Sequence, residues 1–164
     1  MNIEFSIAEL SHLPTIVETY NSTIPSRLVT ADLEPVSVNE KEKWFLDHHP
    51  DTRPLWILKL NGTYSGWMSF QNFYGRPAYS GTAEISIYLN EEVRGKGLGK
   101  LCLQKAIEES PKLKVHTLLG FIFGHNLPSI NLFKSFGFEQ WASLPKVALM
   151  DDIYRDLLIL GKKV

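Results

Sequence analysis

A mixed α/β or α+β fold, one sheet with helices on both faces, is what three observations in this 164-residue sequence predict. The first half holds two β-type runs, Leu55 to Leu60 and Thr63 to Gln71, joined by the turn pair Asn61-Gly62, the strongest hairpin signal in the chain. The second half alternates strand and helix patterns: Gly81 to Leu89, Leu98 to Glu109, Thr117 to Phe123 and Pro128 to Ser135. Two late strand patterns, Phe138 to Leu144 and Tyr154 to Leu160, complete the sheet.

Each element has its own signal. Phe5 to Ile7 alternates and reads as a first strand, and Ser11 with Pro14 in the first turn opens a helix to about Tyr20. Asn21 to Pro35 is a long polar connection containing Pro25. Asn39 with Glu42 forms a capping box for a second helix through Trp44, Phe45 and Leu46, stopped by Pro50. Leu98, Leu101, Cys102, Ala106 and Ile107 share the apolar face of a third helix. Thr117 to Phe123 is apolar enough to be buried on both sides. Asn126 stands near the N-cap of the last helix and Gly137 at its C-terminal end. Repeats and low-complexity segments are missing, so residues 1–164 read as one domain.

Composition narrows the function. With 17 basic and 18 acidic side chains and a net charge of −1, nothing global favours nucleic acid or an anionic membrane. No apolar run approaches the ~20 residues that span a bilayer, and Met1 to Phe5 lacks the order of a signal peptide, so the expected location is the cytoplasm. A lone cysteine excludes an internal disulfide framework, and Cys102 belongs to helix packing. The histidines show no metal-ligand spacing, and no metal is expected.

The positive charge that matters is local, in Glu84 to Lys100, where a strand passes through a short acidic turn into a helix. Free N–H groups and the positive dipole end at a helix N-terminus favour an anion. Gly95, Gly97 and Gly99 bare those donors by lacking Cβ atoms, while Arg94, Lys96 and Lys100 add full charges. The loop is therefore expected to hold a phosphorylated cosubstrate. It is no nucleoside-triphosphate loop, because Gly95 precedes Gly99-Lys100 by too few residues and Leu101 follows where Ser or Thr is needed. G-x-G-x-G deep in the chain also departs from the dinucleotide fingerprint.

Arg94-x-x-Gly97-x-Gly99 resembles the pattern by which Gcn5-related N-acetyltransferases cradle the pyrophosphate of acetyl-CoA. Asn126-Leu127-Pro128-Ser129, with Leu132-Phe133 and Phe136-Gly137-Phe138, is similar to that superfamily's second cofactor segment. Phe73 to Tyr79, Gly81 to Glu84, Ile122 to Asn126 and Arg155 to Leu157 resemble the phosphinothricin and methionine sulfoximine acetyltransferase branch, so the likeness spans nearly the whole chain. It implies a mostly antiparallel twisted sheet of about seven strands, splayed where acetyl-CoA lies, and a homodimer with the substrate loop near the partner. It implies cofactor contacts from Ile87, Tyr88, Leu89, the Arg94 to Lys100 loop including Leu98, Asn126 and Ser129, with the backbone of Ser86 to Leu89 left unpaired for the pantetheine arm.

In this resemblance the amide of Ile87 or Tyr88 would stabilise the oxyanion. Asn126 would fix the cofactor or a site water, and the connection from Asn21 to Pro35 would wall the substrate site. Glu84, three residues before Ile87 and matching the family's Thr-x-Glu segment, is the expected base for an ammonium acceptor, with Thr82 orienting it. Arg76 would anchor an anionic group of the small amine substrate, beside an aromatic wall of Phe73, Tyr74 and Tyr79. One departure is Phe133, where many relatives carry Tyr or His: it has no proton for the leaving thiolate. Two other readings are a cofactor-binding sensor that has lost turnover and an acetyltransferase for peptides.

Overall fold

The computed structural model describes residues 2–164. Among them, the regular elements in order are β1 (Ile3–Ile7), α1 (Leu13–Thr23), α2 (Val38–Leu46), β2 (Leu55–Leu60), β3 (Thr63–Asn72), β4 (Thr82–Leu89), α3 (Leu98–Glu109), β5 (Thr117–Phe123), α4 (Leu127–Ser135), β6 (Glu139–Met150) and β7 (Ile153–Lys163). The strands form one seven-stranded sheet in the order β1-β2-β3-β4-β5-β7-β6. Every neighbouring pair is antiparallel except β4 and β5, which run parallel with α3 as the crossover. The predicted fold class stands.

The Asn61-Gly62 hairpin forms as read. Both residues have positive φ, 51° and 81°, as a two-residue turn matched to strand twist requires. Helices cover both faces. On one, Cys102, Leu103 and Ala106 of α3 and Ile130 and Phe133 of α4 pack on Leu58, Met68, Phe70, Ile85 and Leu118. On the other, Ile16 and Tyr20 of α1 and Trp44 and Phe45 of α2 pack on Leu55, Ile57, Trp67 and Tyr88. Burial holds the Cys102 thiol up at about 12, which keeps it an inert packing group.

Three sequence readings need correction. The cap of α2 is Ser37 with Glu40, not Asn39 with Glu42: Ser37 Oγ accepts from Glu40 N–H at 3.2 Å and the Glu40 carboxylate accepts from Ser37 N–H at 2.5 Å. Both pairs have capping spacing, and the chain uses the earlier one. Helix α1 starts at Leu13, behind a short 3-10 turn (Leu10–His12) capped by Glu9 instead of Ser11. The late strands run well beyond Leu144 and Leu160. Pro145 does not stop β6 because pairing skips between Leu144 and Ala148, and Lys146, at φ 52°, donates its N–H to Asp156 Oδ1 at 2.8 Å.

Ser37→Ala is expected to lower stability by about 1 kcal/mol, while Asn39→Ala changes it by less than about 0.5 kcal/mol. Urea denaturation of both variants checks the assignment.

Candidate active site

The ladder between β4 and β5 contains only Thr82↔Thr117, Ala83↔Leu118 and Glu84↔Leu119. Beyond it β4 stays paired with β3 to Leu89, and β5 stays paired with β7 to Phe123, so a gap opens between the two parallel strands. Asn90 N–H donates to Ser65 O at 2.9 Å on the β3 side, and Thr117 N–H donates to Gly81 O at 3.2 Å on the β5 side. Backbone direction alternates along a strand, so even-numbered residues of β4 bond to β3 and odd-numbered residues turn towards β5. Past the ladder, the amides of Ile87 and Leu89 therefore face the gap, while the Tyr88 amide is committed to Trp67. Of the two donors suggested by sequence, the Ile87 amide is the one that faces the gap.

A cavity of about 720 Å³ occupies this gap, lined by Glu84 to Leu89, Arg94, Gly99, Asn126 and Ser129 among others. At its α3 end, Gly95 and Gly97 have φ of 73° and 84°, and a Cβ on either would meet nothing within 4 Å. These glycines serve backbone conformation and open approach, not close packing. Gly97 caps α3 in the left-handed region, and the main-chain N–H groups of residues 95–99 have no internal acceptor among the described residues. Arg94 Nε donates to Leu89 O at 3.2 Å, which ties the loop back to β4. Gly95, Lys96, Gly97 and Lys100 are exposed, and the Leu98 side chain is buried under the loop. A diphosphate fits this set of donors and cations.

The end of α1 at Thr23 and the α1–α2 connection, through Ser26 and Leu28 to Ala31, form another wall. It is strapped down from several sides. His125 Nε2–H donates to Arg27 O at 2.7 Å, and Asn126 Nδ2 donates to Leu28 O at 3.1 Å. Arg27 pairs with Asp151 of the β6–β7 turn at 2.9 Å, and the Tyr20 hydroxyl bonds to Thr30 and Asp32. Asn126 also caps α4, its Oδ1 accepting from Ser129 N–H at 3.3 Å. Its carboxamide thus has two structural partners on the cavity wall.

Glu84, Ser86 and Tyr88 alternate onto the α1–α2 face, where a second cavity of about 190 Å³ adjoins them. Both cavities are lined by all three residues. Burial raises the Glu84 carboxyl above the ordinary glutamate range. Tyr88 stacks on Trp67 with ring centroids 4.4 Å apart. Burial, and then the neighbouring Tyr20, Glu84 and Asp32, push its phenol far up, so it stays protonated at neutral pH.

The remaining predicted residues lie elsewhere. Tyr74, Arg76, Tyr79 and Thr82 line neither cavity of the single chain. Tyr74 and Tyr79 gather with Phe73 and Phe121 in a largely exposed aromatic cluster, and Arg76 is exposed beside it. Phe133 is buried, lines the larger cavity and fills the space a side chain at Gly120 would need. The Ser86 backbone, expected to offer free groups to the cofactor arm, is instead paired with Ser69 of β3, and its side chain lines both cavities. Sequence reasoning missed Lys41, Trp44 and Gln71, which only tertiary packing brings to the second cavity.

A splayed parallel pair at the centre of an otherwise antiparallel sheet, with a glycine-rich loop at one end, is the arrangement that the resemblance to Gcn5-related N-acetyltransferases implied. Residues 16–138 match the model of the acetyltransferase (GNAT) family, and the chain belongs to that family of acetyltransferases. It is 48% identical over 159 residues to a Bacillus subtilis (strain 168) protein provisionally named phosphinothricin acetyltransferase YwnH, covering 96% of this chain and 97% of the other. It is 27% identical over 161 residues to the L-methionine sulfoximine/L-methionine sulfone acetyltransferase of Pseudomonas aeruginosa PAO1, covering 98% and 94%. A solved phosphinothricin acetyltransferase from Sinorhizobium meliloti, in complex with AcCoA, superposes with a TM-score of 0.92 at 25% identity, covering 100% of this chain and 89% of that one.

A carboxyl whose folded pKa is raised holds its proton more tightly in the native state, so stability falls as pH rises through that window. Glu84→Gln removes this cost. The variant is expected to melt above the native protein at pH 7.5, with the difference closing towards pH 4; thermal unfolding at both pH values measures it.

Proposed function

We propose that this chain transfers the acetyl group of acetyl-CoA to the amino group of a small amino acid or analogue, of the phosphinothricin or methionine sulfoximine type. The observation that carries the reading is the juxtaposition at β4: a gap-facing Ile87 amide and the half-buried Glu84 carboxyl stand within one strand segment shared by two cavities. Acetyl-CoA is the substrate that supplies the activated acyl group. The amides of residues 95–99, with Arg94, Lys96 and Lys100, hold its diphosphate, and the edge of β4 from Ile87 to Leu89 takes its extended arm as a strand. The Ile87 N–H stabilises negative charge developing on the thioester oxygen.

An amino acid arrives as ammonium, and Glu84 accepts the proton that frees its lone pair. The raised carboxyl pKa brings its basicity closer to that of the amine it serves. Phe133 supplies no proton to the departing sulfur. The strapped Arg27 to Asp32 wall favours a small acceptor over a peptide laid across an open groove. Ser129 and Asn126 serve the cofactor side, Asn126 by shaping the wall.

A homodimer in the cytoplasm completes the reading. Trp141, Val147, Leu149, Ile153 and Tyr154 expose apolar surface along the terminal hairpin, more than scattered surface residues would leave. Arg76 and the Tyr74–Tyr79 cluster would act from a second copy, with Thr82 at the base of their loop.

Release of free thiol from acetyl-CoA in the presence of methionine sulfoximine tests the chemistry. Glu84→Gln should lower kcat by about a hundredfold or more while calorimetry still detects CoA binding. In the native enzyme kcat/KM should fall as pH drops through the raised Glu84 pKa. Unchanged turnover in the variant removes Glu84 as the base. Sedimentation equilibrium is expected to read two chains per particle, and a monomer would leave Arg76 without a site to serve.

A further inference from the structure

The second cavity has a charge pattern that the transfer step does not use. Of the residues lining it, Lys41 and Glu84 are the two that carry charge; the rest are aliphatic or aromatic, apart from Gln71 and Ser86. Glu84 comes from the sheet and Lys41 from α2 in the helix layer. Gln71 stands directly across the ladder from Glu84.

Lys41 is held in place without an acidic partner. Its ammonium lies 4.8 Å from the Tyr20 ring centroid and 5.7 Å from that of Trp44, both lining the same cavity. Among the described residues Lys41 enters no ion pair, although Lys43 and Lys105 each bind a carboxylate four residues on. Asp32, the acid nearest in the fold to Tyr20, is engaged by the Tyr20 hydroxyl.

We propose that Lys41 determines acceptor specificity by pairing with the carboxylate of the incoming amino acid. The inference rests on the reading of Glu84 as the group that receives the ammonium. An amino acid carries both charges, and the cavity offers one complement to each: a carboxyl for the ammonium, an ammonium for the carboxylate, and aromatic walls for the side chain. An amine without a carboxylate would satisfy Glu84 alone and leave Lys41 unpaired. A cationic peptide lysine would meet Lys41 as a like charge. The discriminating cation thus lies within the chain's own cavity, whereas Arg76 lies outside it.

The test compares L-methionine sulfone with its carboxamide, which lacks the negative charge, as acceptors by thiol release and as ligands by the fluorescence of Trp44 and Trp67 without acetyl-CoA. The native protein is expected to prefer the carboxylate roughly tenfold, as a charge-assisted contact allows, and to lose part of that preference as salt is raised. Lys41→Met, which keeps the apolar stem, should abolish the preference with the KM for acetyl-CoA unchanged, and Lys41→Arg should restore most of it. An equal preference in Lys41→Met and native protein, or a native preference indifferent to salt, overturns the proposal. Binding that depends on Lys41 without any thiol release would uphold Lys41 and overturn the transfer reading. Normal release with unaltered selectivity in Lys41→Met would do the reverse.

Discussion

An unfinished ladder is the constraint on which this molecule depends. Parallel strands β4 and β5 share three residue pairs and then part, leaving the Ile87 and Leu89 amides of β4 turned to the gap. An N–H sealed from water in that condition would cost about 1–3 kcal/mol. The chain avoids this by placing a cavity there, where solvent or an extended ligand can satisfy the donors. Gly120, the β5 residue just past the ladder, lacks a Cβ, and the Phe133 ring of α4 occupies that space. The helix that covers one side of the gap therefore sits where the pairing stops.

The neighbouring elements make that gap a site. Strand β3 fixes β4 in register through all seven of its pairs, so the direction of each β4 amide is set by ordinary sheet geometry. Alternation then sends Glu84, Ser86 and Tyr88 to one face, where Tyr88 is clamped between Trp67 and Tyr20. On that face the carboxyl loses water and gains no internal cation, which raises its pKa. The buried, positively charged Arg53 donates to Ser80 O and Thr82 O and holds the start of the same strand.

Local chemistry was legible in the sequence because it depends on nearest neighbours. The Asn61-Gly62 turn, the glycine loop opening α3, and the Asn126 cap of α4 all rest on dihedral preferences or contacts within a few residues. Glu84 was legible from strand period and from resemblance. Ambiguity arose where two local solutions compete, as with Ser37-Glu40 against Asn39-Glu42, and where a bulge lets Pro145 remain in a strand. What could not be read was which side chains from distant elements converge. Lys41 and Trp44 are ordinary exposed-looking positions in a short amphipathic helix until α2 docks over Trp67. Conversely Arg76 and Tyr79 are near Glu84 in sequence, yet the single chain holds them outside its cavities.

The wall common to both cavities bears on reaction order. If the two substrates reach Glu84 through separate cavities, neither must depart before the other enters, and a ternary complex forms ahead of any bond change. A relay through a protein thioester is closed, because the lone thiol is sealed in the core on the far face of the sheet. The steady-state rate law for such an architecture is sequential, with intersecting reciprocal plots instead of parallel ones.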